Sequence, residues 1–219
     1  MVNRKAANVV AVLVIAGAWL WLYLWSHPHP PDIDPRPHQG VGQVLGAEAV
    51  QLLEPGGRLI VLARDADPYE VPAAEVQLEA FLAAVHKAGV KVAAIRSFKL
   101  DPLRPIGVPA SEFFELLRQA QSNDVIVSFL GPPVLSAEQL SRLGNKRPIV
   151  LALCAGSMPA QVDLKSLFDQ RLLRLAVVSR PDAPAQAGPG DSRAAFDQMF
   201  KLITPANAAE LSELAAAWR

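Results

Sequence analysis

Residues 6–25, AANVVAVLVIAGAWLWLYLW, carry no charged side chain and one strongly polar one, Asn8. At ~1.5 Å of rise per residue, a helix of about 20 residues spans the ~30 Å hydrocarbon core of a bilayer. Arg4 and Lys5 precede the run, and positive charge there favours an N-in, C-out orientation. Trp19, Trp21, Tyr23 and Trp25 gather at its far end, where aromatic rings favour the membrane interface. The expected layout is therefore a cytoplasmic tail (1–5), a transmembrane anchor (6–25) and everything after it outside the cytoplasm. The expected location is the inner membrane, crossed once, with the N-terminal helix as the membrane contact. A cleaved signal peptide is the competing reading, because Ala16-Gly17-Ala18 fits a cleavage site. Cleavage there leaves the apolar WLWLYLW as the new start, so the uncleaved anchor is preferred.

Residues 26–45 read as a proline-rich linker. Pro28, Pro30, Pro31, Pro35 and Pro37 argue against a helix and for a stiff polyproline II spacer. His27, His29 and His38 also lie here. A His-rich tract can bind metal, but with ~3 residues per turn His27 and His29 point apart. No Cys or carboxylate framework completes a site, so no metal or other cofactor is expected.

From Gly46 the pattern alternates between helix and strand. AEAVQLL reads as a short helix stopped by Pro55 and the glycines after it. The apolar run 58–64 reads as a buried strand, and 90–97, 124–133, 147–154 and 172–180 read as the second to fifth strands. Between them lie amphipathic segments. One runs over 73–88 with Leu78, Phe81, Leu82 and Val85 on one face. Another is capped by Ser111 and carries Phe113, Phe114, Leu116 and Leu117. A third opens on a Ser136/Gln139 capping box, and a fourth on Asp163. After a loose loop at 181–191, Phe196, Met199, Phe200 and Ile203 recur with helical spacing. Thr204-Pro205 opens a last helix bearing Leu211, Leu214 and Trp218. Continuous apolar strands separated by helices predict a three-layer, doubly wound α/β domain over 46–180. Its parallel sheet has about five strands in the order 2-1-3-4-5, preceded by one transmembrane helix. Residues 181–219 follow as a loop and C-terminal helices.

Lys+Arg and Asp+Glu both number 21, so the chain lacks the basic excess that phosphate backbones demand, and nucleic acid is not an expected partner. A single cysteine excludes an intramolecular disulfide.

The run RLIVLARDADPYE, QLEAFLAAVHKAGVKVAAIRS, EFFELLRQAQSNDVIVSFLGPP and RPIVLALC resembles the first lobe of a type I periplasmic binding protein over roughly residues 58–180. An apolar strand leads there to a helix ending AG, a short strand, a second helix and a D-x-I-V strand. The resemblance implies a lobe that closes with a second around a sugar or similar small ligand, and the present length provides for one lobe.

In such a sheet, ligands sit outside the carboxyl ends of the strands. That geography nominates Arg64, Asp67, Ser97, Gly131, Gly156, Ser157 and Arg180 as ligand-binding residues. RDAD at 64–67 offers two carboxylates, as Mg²⁺-dependent phosphatases and receivers do. The other acids and the lysine those sites need are missing from the later strand ends. LLEPGGRLIVL resembles a late methyltransferase segment without the cofactor loop that precedes it there. No phosphate-cradling glycine loop and no G-x-S-x-G occurs.

Cys154, in ALCAG, is one residue from the G-x-C-x-G elbow of class I glutamine amidotransferases. A thiol nucleophile needs a base, and no histidine follows His86 in the chain. A packing role is therefore favoured, with a thiol-dependent hydrolase or amidotransferase as the alternative. The leading expectation is a membrane-anchored, non-enzymatic domain binding a small ligand or a protein partner. A structural component of a membrane complex, docked through its C-terminal helices, is a further alternative.

Overall fold

A computed structural model describes residues 4–26, 33–65, 71–99, 107–144 and 147–217. The chain divides into two compact units, Met1–Asp32 and Ile33–Arg219. The first holds helix α1 (Arg4–Ser26), with Leu13, Ile15, Trp19, Leu20 and Trp21 all exposed. Among the described residues, no helix is long and apolar enough to cross a membrane.

The second unit is an α/β fold built on a six-stranded, mostly parallel sheet. In chain order its elements are α2 (Pro35–Leu52), β1 (Leu59–Arg64), α3 (Pro72–Lys87), β2 (Val92–Phe98), α4 (Ala110–Gln119), β3 (Val125–Ser128) and α5 (Ala137–Arg142). Then follow β4 (Ile149–Cys154), α6 (Met158–Gln161), α7 (Leu164–Asp169), β5 (Leu175–Ser179), α8 (Ser192–Met199), β6 (Phe200–Ile203) and α9 (Glu210–Ala217). The strand order is 2-1-3-4-5-6, parallel throughout except that β6 runs antiparallel to β5. The expected order of the first five strands holds, and a sixth extends it.

Side-chain alternation along the strands makes two cores. Leu59, Val61, Val125, Val127, Leu151, Leu153, Leu175 and Val177 face α2, α3 and α8. Ile60, Leu62, Ile126, Val150, Ala152, Cys154, Ala176 and Val178 face α4, α7 and α9. The capping box at Ser136/Gln139 and the Asp163 cap form as read. Ser111 does not cap α4; it lies inside the helix, whose N-cap is Pro109.

Three further expectations are corrected. The linker at 26–45 is not extended throughout, because α2 begins at Pro35 and the helix expected from Gly46 is only its second half. Asp34 caps it by accepting from the Arg36 N–H at 3.0 Å. Pro35 and Pro37 fall in the first turn, where backbone N–H groups have no helical partner to lose. His38 consequently sits on α2, half-buried, 3.1 Å from Gln77 Nε2. Burial pushes its pKa below the ordinary imidazole value, with the Asp34 charge pulling the other way. Second, the helical spacing through Ile203 misleads: α8 stops at Met199. Phe200 and Leu202 join one core and Ile203 the other, as a strand requires. Third, Thr204-Pro205 opens a series of turns, and α9 starts at Glu210. Leu211 is buried and Leu214 packs against the same core, so this helix spends that apolar face within the molecule. Trp218 lies outside the described residues.

Helix α2 packs between α3 and α8 through glycines. A Cβ on Gly40 would collide with the Ser192 carbonyl oxygen and lie 2.6 Å from Phe196 Cβ, on α8. On Gly42 it would collide with the Gln77 carbonyl and lie 2.7 Å from the Phe81 nitrogen, on α3. At Gly46 it would meet Ala84 Cβ at 2.9 Å. Arg36 extends this junction: its Nη1 donates to the carbonyls of Gly188 and Gly190, both at 3.1 Å, fastening the loop at 181–191 to the start of α2.

At the amino edge of the sheet, buried Asp124 joins β1 to β3. It accepts from the Arg58 and Gln121 backbone N–H groups, both at 2.8 Å, and from Arg58 Nη2 at 2.6 Å. Burial raises its pKa, but these donors outweigh it and hold the carboxyl below its ordinary value.

Two outcomes follow from this packing and this ion pair. Gly42→Ala gains about 1 kcal/mol of helix propensity but overpacks against backbone that cannot rotate away, which costs ~1–3 kcal/mol. The full-length protein in detergent should therefore unfold at lower guanidinium concentration. Asp124 titrates lower in the folded than in the unfolded chain. Its contribution is complete above its unfolded pKa near 3.8 and disappears as pH falls through the depressed folded value. Asp124→Asn should cost about 2 kcal/mol at neutral pH and flatten the acid limb of the stability profile; an unchanged limb would assign acid sensitivity elsewhere.

Candidate functional site

The register of the parallel strands sets what the carboxyl edge presents. Leu62 lies beside Ser128, Ser128 beside Ala152, and Cys154 beside Val178, so the residues following these positions line up across the edge. From β2 to β5 they are Ser97, Arg64, Gly131, Gly156 with Ser157, and Ser179 with Arg180. The strand order reverses between β1 and β3, where Arg64 faces the segment after Ser128. Asp67, nominated from sequence, lies outside the described residues.

The nominated residues are not equivalent. Gly156 and Ser157 are exposed. Gly156 has φ +62, and its N–H donates to Ser179 Oγ at 3.0 Å, joining the ends of β4 and β5. Ser157 precedes α6, where its Oγ accepts from Gln161 Nε2 at 3.1 Å and leaves the helix start uncapped. Arg180 is half-buried and committed in part, since its Nε donates to the Phe200 carbonyl at 3.2 Å. Arg64 is half-buried at the end of β1, paired in register with Phe98. Ser97 is exposed on β2, well to one side.

Gly131 is corrected by its burial. It has φ +94, and the Met158 side chain covers it so closely that a Cβ there would lie 2.5 Å from the sulfur. Pro132 and Pro133 are also buried. The thioether from the start of α6 thus plugs the end of β3, and Gly131 offers no surface to a ligand. The sequence carried no pointer to this plug, because Met158 sits three turnlike residues beyond its strand.

Cys154 is fully buried on the face toward α4 and α7. Burial pushes its thiol far above the ordinary value. His86 is exposed on α3, which covers the opposite face of the sheet. An activated thiolate needs a base or positive charge beside it, and among the described residues Cys154 shows neither, burial alone shifting its thiol. A cysteine-directed electrophile at neutral pH should label the native protein negligibly and label it fully once guanidinium unfolds the chain. Rapid stoichiometric labelling of the native state would contradict this placement.

No family model matches the chain, and no curated protein matches it by sequence. Solved structures do match its fold. A carbohydrate transporter solute-binding protein from Agrobacterium radiobacter, in complex with D-arabinose, aligns with TM-score 0.52 at 12% identity, over 81% of this chain and 63% of that one. A galactofuranose-binding protein aligns with TM-score 0.52 at 13% identity, over 83% and 64%. An arabinose-binding protein from Geobacillus stearothermophilus aligns with TM-score 0.50 at 14% identity, over 80% and 63%. The chain has a type I periplasmic-binding-protein-like fold, and it spans less than two thirds of the length of these structures.

Proposed function

We propose that this protein is a membrane-anchored, extracytoplasmic domain that recognises a small polar ligand, of the sugar class, without transforming it. The observation that carries the reading is the composition of the carboxyl edge. It exposes the Gly156 backbone, the Ser157 hydroxyl and the flanks of Arg64 and Arg180, while its one thiol points into the core. Hydroxyl and guanidinium donors without an activated nucleophile suit recognition of a polyhydroxylated molecule better than its chemistry. The solved structures of like fold bind arabinose or galactofuranose by their descriptions, which supports the choice of ligand class.

Anchoring is supported by the uncharged run 6–25, the preceding Arg4 and Lys5, and the exposed apolar side chains of helix α1.

The test is a thermal-unfolding screen of the full-length protein in a polyoxyethylene detergent against pentoses, hexoses and furanose sugars. A saturable ligand at 100 times its Kd should stabilise by about 2.7 kcal/mol, and Ser157→Trp should abolish the shift without lowering the unliganded midpoint. No stabilisation by any sugar would move the reading to a protein partner. A C-terminal reporter active only in the cytoplasm would overturn the topology.

A further inference from the structure

The opposite edge of the sheet holds a second cluster of polar chemistry. A cleft of about 730 Å³ opens where β4 and β5 begin, lined by Ser122, Arg147, Gln170, Arg171 and Arg174 among others. One carboxylate, Asp169, also lines it, but Lys165 holds that group at 2.9 Å. Among the described residues, Arg147 donates to backbone carbonyls alone, to Gly144 at 3.4 Å and to Gln170. Among the described residues, the side chains of Arg171 and Arg174 have no hydrogen-bond or ion-pair partner. Arg174 also borders a neighbouring cleft that contains Glu48, with which it forms no ion pair.

Arg171 is placed at a conformational cost. It has φ +55 and is the one non-glycine residue with positive φ among the described residues. It stands just beyond α7, where the Arg171 N–H donates to the Phe168 carbonyl at 3.0 Å and the Leu172 N–H to the Leu167 carbonyl at 2.9 Å. This double bond pattern ordinarily takes glycine at that position. The chain itself uses glycine in the same motif after α3: Gly89, φ +74, donates to the His86 carbonyl at 2.9 Å and Val90 to the Val85 carbonyl at 3.2 Å. The backbone after α7 has the same need, yet the residue there is an arginine facing a cleft with two others.

Helix ends alone do not account for the cluster. The carboxyl ends of α5 and α7 lie at this edge, and each presents at most about half a negative charge. Three guanidiniums outweigh them, and their mutual repulsion is relieved by an anion between them. Three planar donor groups around one cleft suit the several oxygens of a phosphoryl group better than the two of a carboxylate.

We propose that Arg147, Arg171 and Arg174 form a phosphoryl-oxyanion site at the amino edge of the sheet, independent of any ligand at the carboxyl edge. A soluble phosphate ester and a lipid phosphomonoester present the same chemistry.

The test follows unfolding of the full-length protein with a thiol-reactive dye that reports exposure of Cys154, using pyrophosphate as probe. Pyrophosphate should raise the midpoint saturably. Arg174→Gln should weaken its apparent affinity at least ~10-fold, as loss of a charge-assisted contact does. Arg171→Gly should raise the unliganded midpoint by about 2–4 °C through relief of the left-handed arginine while weakening pyrophosphate to a similar extent. Gained stability with lost binding is a combination that a purely structural arginine cannot produce. Repeating the titration in phosphatidylcholine nanodiscs with and without phosphatidic acid separates the sources. Lipid competition weakens pyrophosphate only in the discs that contain phosphatidic acid, and a soluble ligand binds equally in both. The proposal is overturned by no saturable shift with pyrophosphate, by an equal shift in wild type and Arg174→Gln, or by full affinity in Arg171→Gly.

Discussion

Helix α2 can occupy the centre of its layer only because three of its positions lack a side chain. Gly40 lets the α8 backbone approach, and Gly42 and Gly46 do the same for α3. Its other face supplies Val41, Val44, Leu45 and Ala49, all buried against the sheet. A helix with side chains at all these positions would hold its neighbours apart and leave voids beneath them, each void forfeiting dispersion contacts along its lining. The glycines weaken α2 as an isolated helix. Tertiary packing offsets that cost, which is the usual source of helix stability in a folded domain. The same junction orders the long loop before α8, because Arg36 at the start of α2 binds its carbonyls.

The burial of the thiol at the end of β4 follows from strand geometry as much as from composition. Along β4, Val150, Ala152 and Cys154 face one core while Leu151 and Leu153 face the other. Cys154 is the last strand residue, so its direction is fixed by that period-two alternation and not by the turn beyond it. A nucleophile on this fold would have to occupy the turn itself. Here that turn holds Ala155, Gly156 and Ser157. Gly156 takes the left-handed conformation and commits its N–H to Ser179, which stiffens the junction of β4 with β5.

Much of this architecture is legible in the sequence, and the exceptions have specific physical causes. Four of the parallel strands, β1, β3, β4 and β5, show because strands buried on both faces must be apolar without interruption, whereas β2 is legible by its β-branched and alanine run although most of it is exposed. The box at Ser136/Gln139 and the cap at Asp163 show because local hydrogen bonds decide them. Pro35 and Pro37 mislead because the cost of proline depends on position: prohibitive within a helix, nearly absent in its first turn. Phe200 to Ile203 mislead because phenylalanine and isoleucine at i and i+3 fit a helix face, and in a four-residue strand they also reach two different cores. At the carboxyl edge, the order of the strand ends was readable. The burial of Gly131 was not, since it depends on Met158 folding back from another element. Nor was the arginine cluster, because residues 147, 171 and 174 meet only through the pairing of β4 with β5.

The two borders of the sheet are treated differently, and that bears on how the domain meets other molecules. β6 closes one side by pairing antiparallel with β5, and the ion pair between Lys201 and Glu210 ties it to α9. β2 is left at the other side with Ala93 to Ser97 exposed, including Ile95 at 46%. An open apolar strand invites pairing with other chains unless charge discourages it. Lys91, Arg96 and Lys99, all exposed, punctuate this strand with positive charge at its start, within it and at its end. A second copy bringing the same strand alongside would bring the same charges, so self-pairing is opposed. Among the described residues, the positive side chains along this border strand thus weigh against its pairing with a second copy.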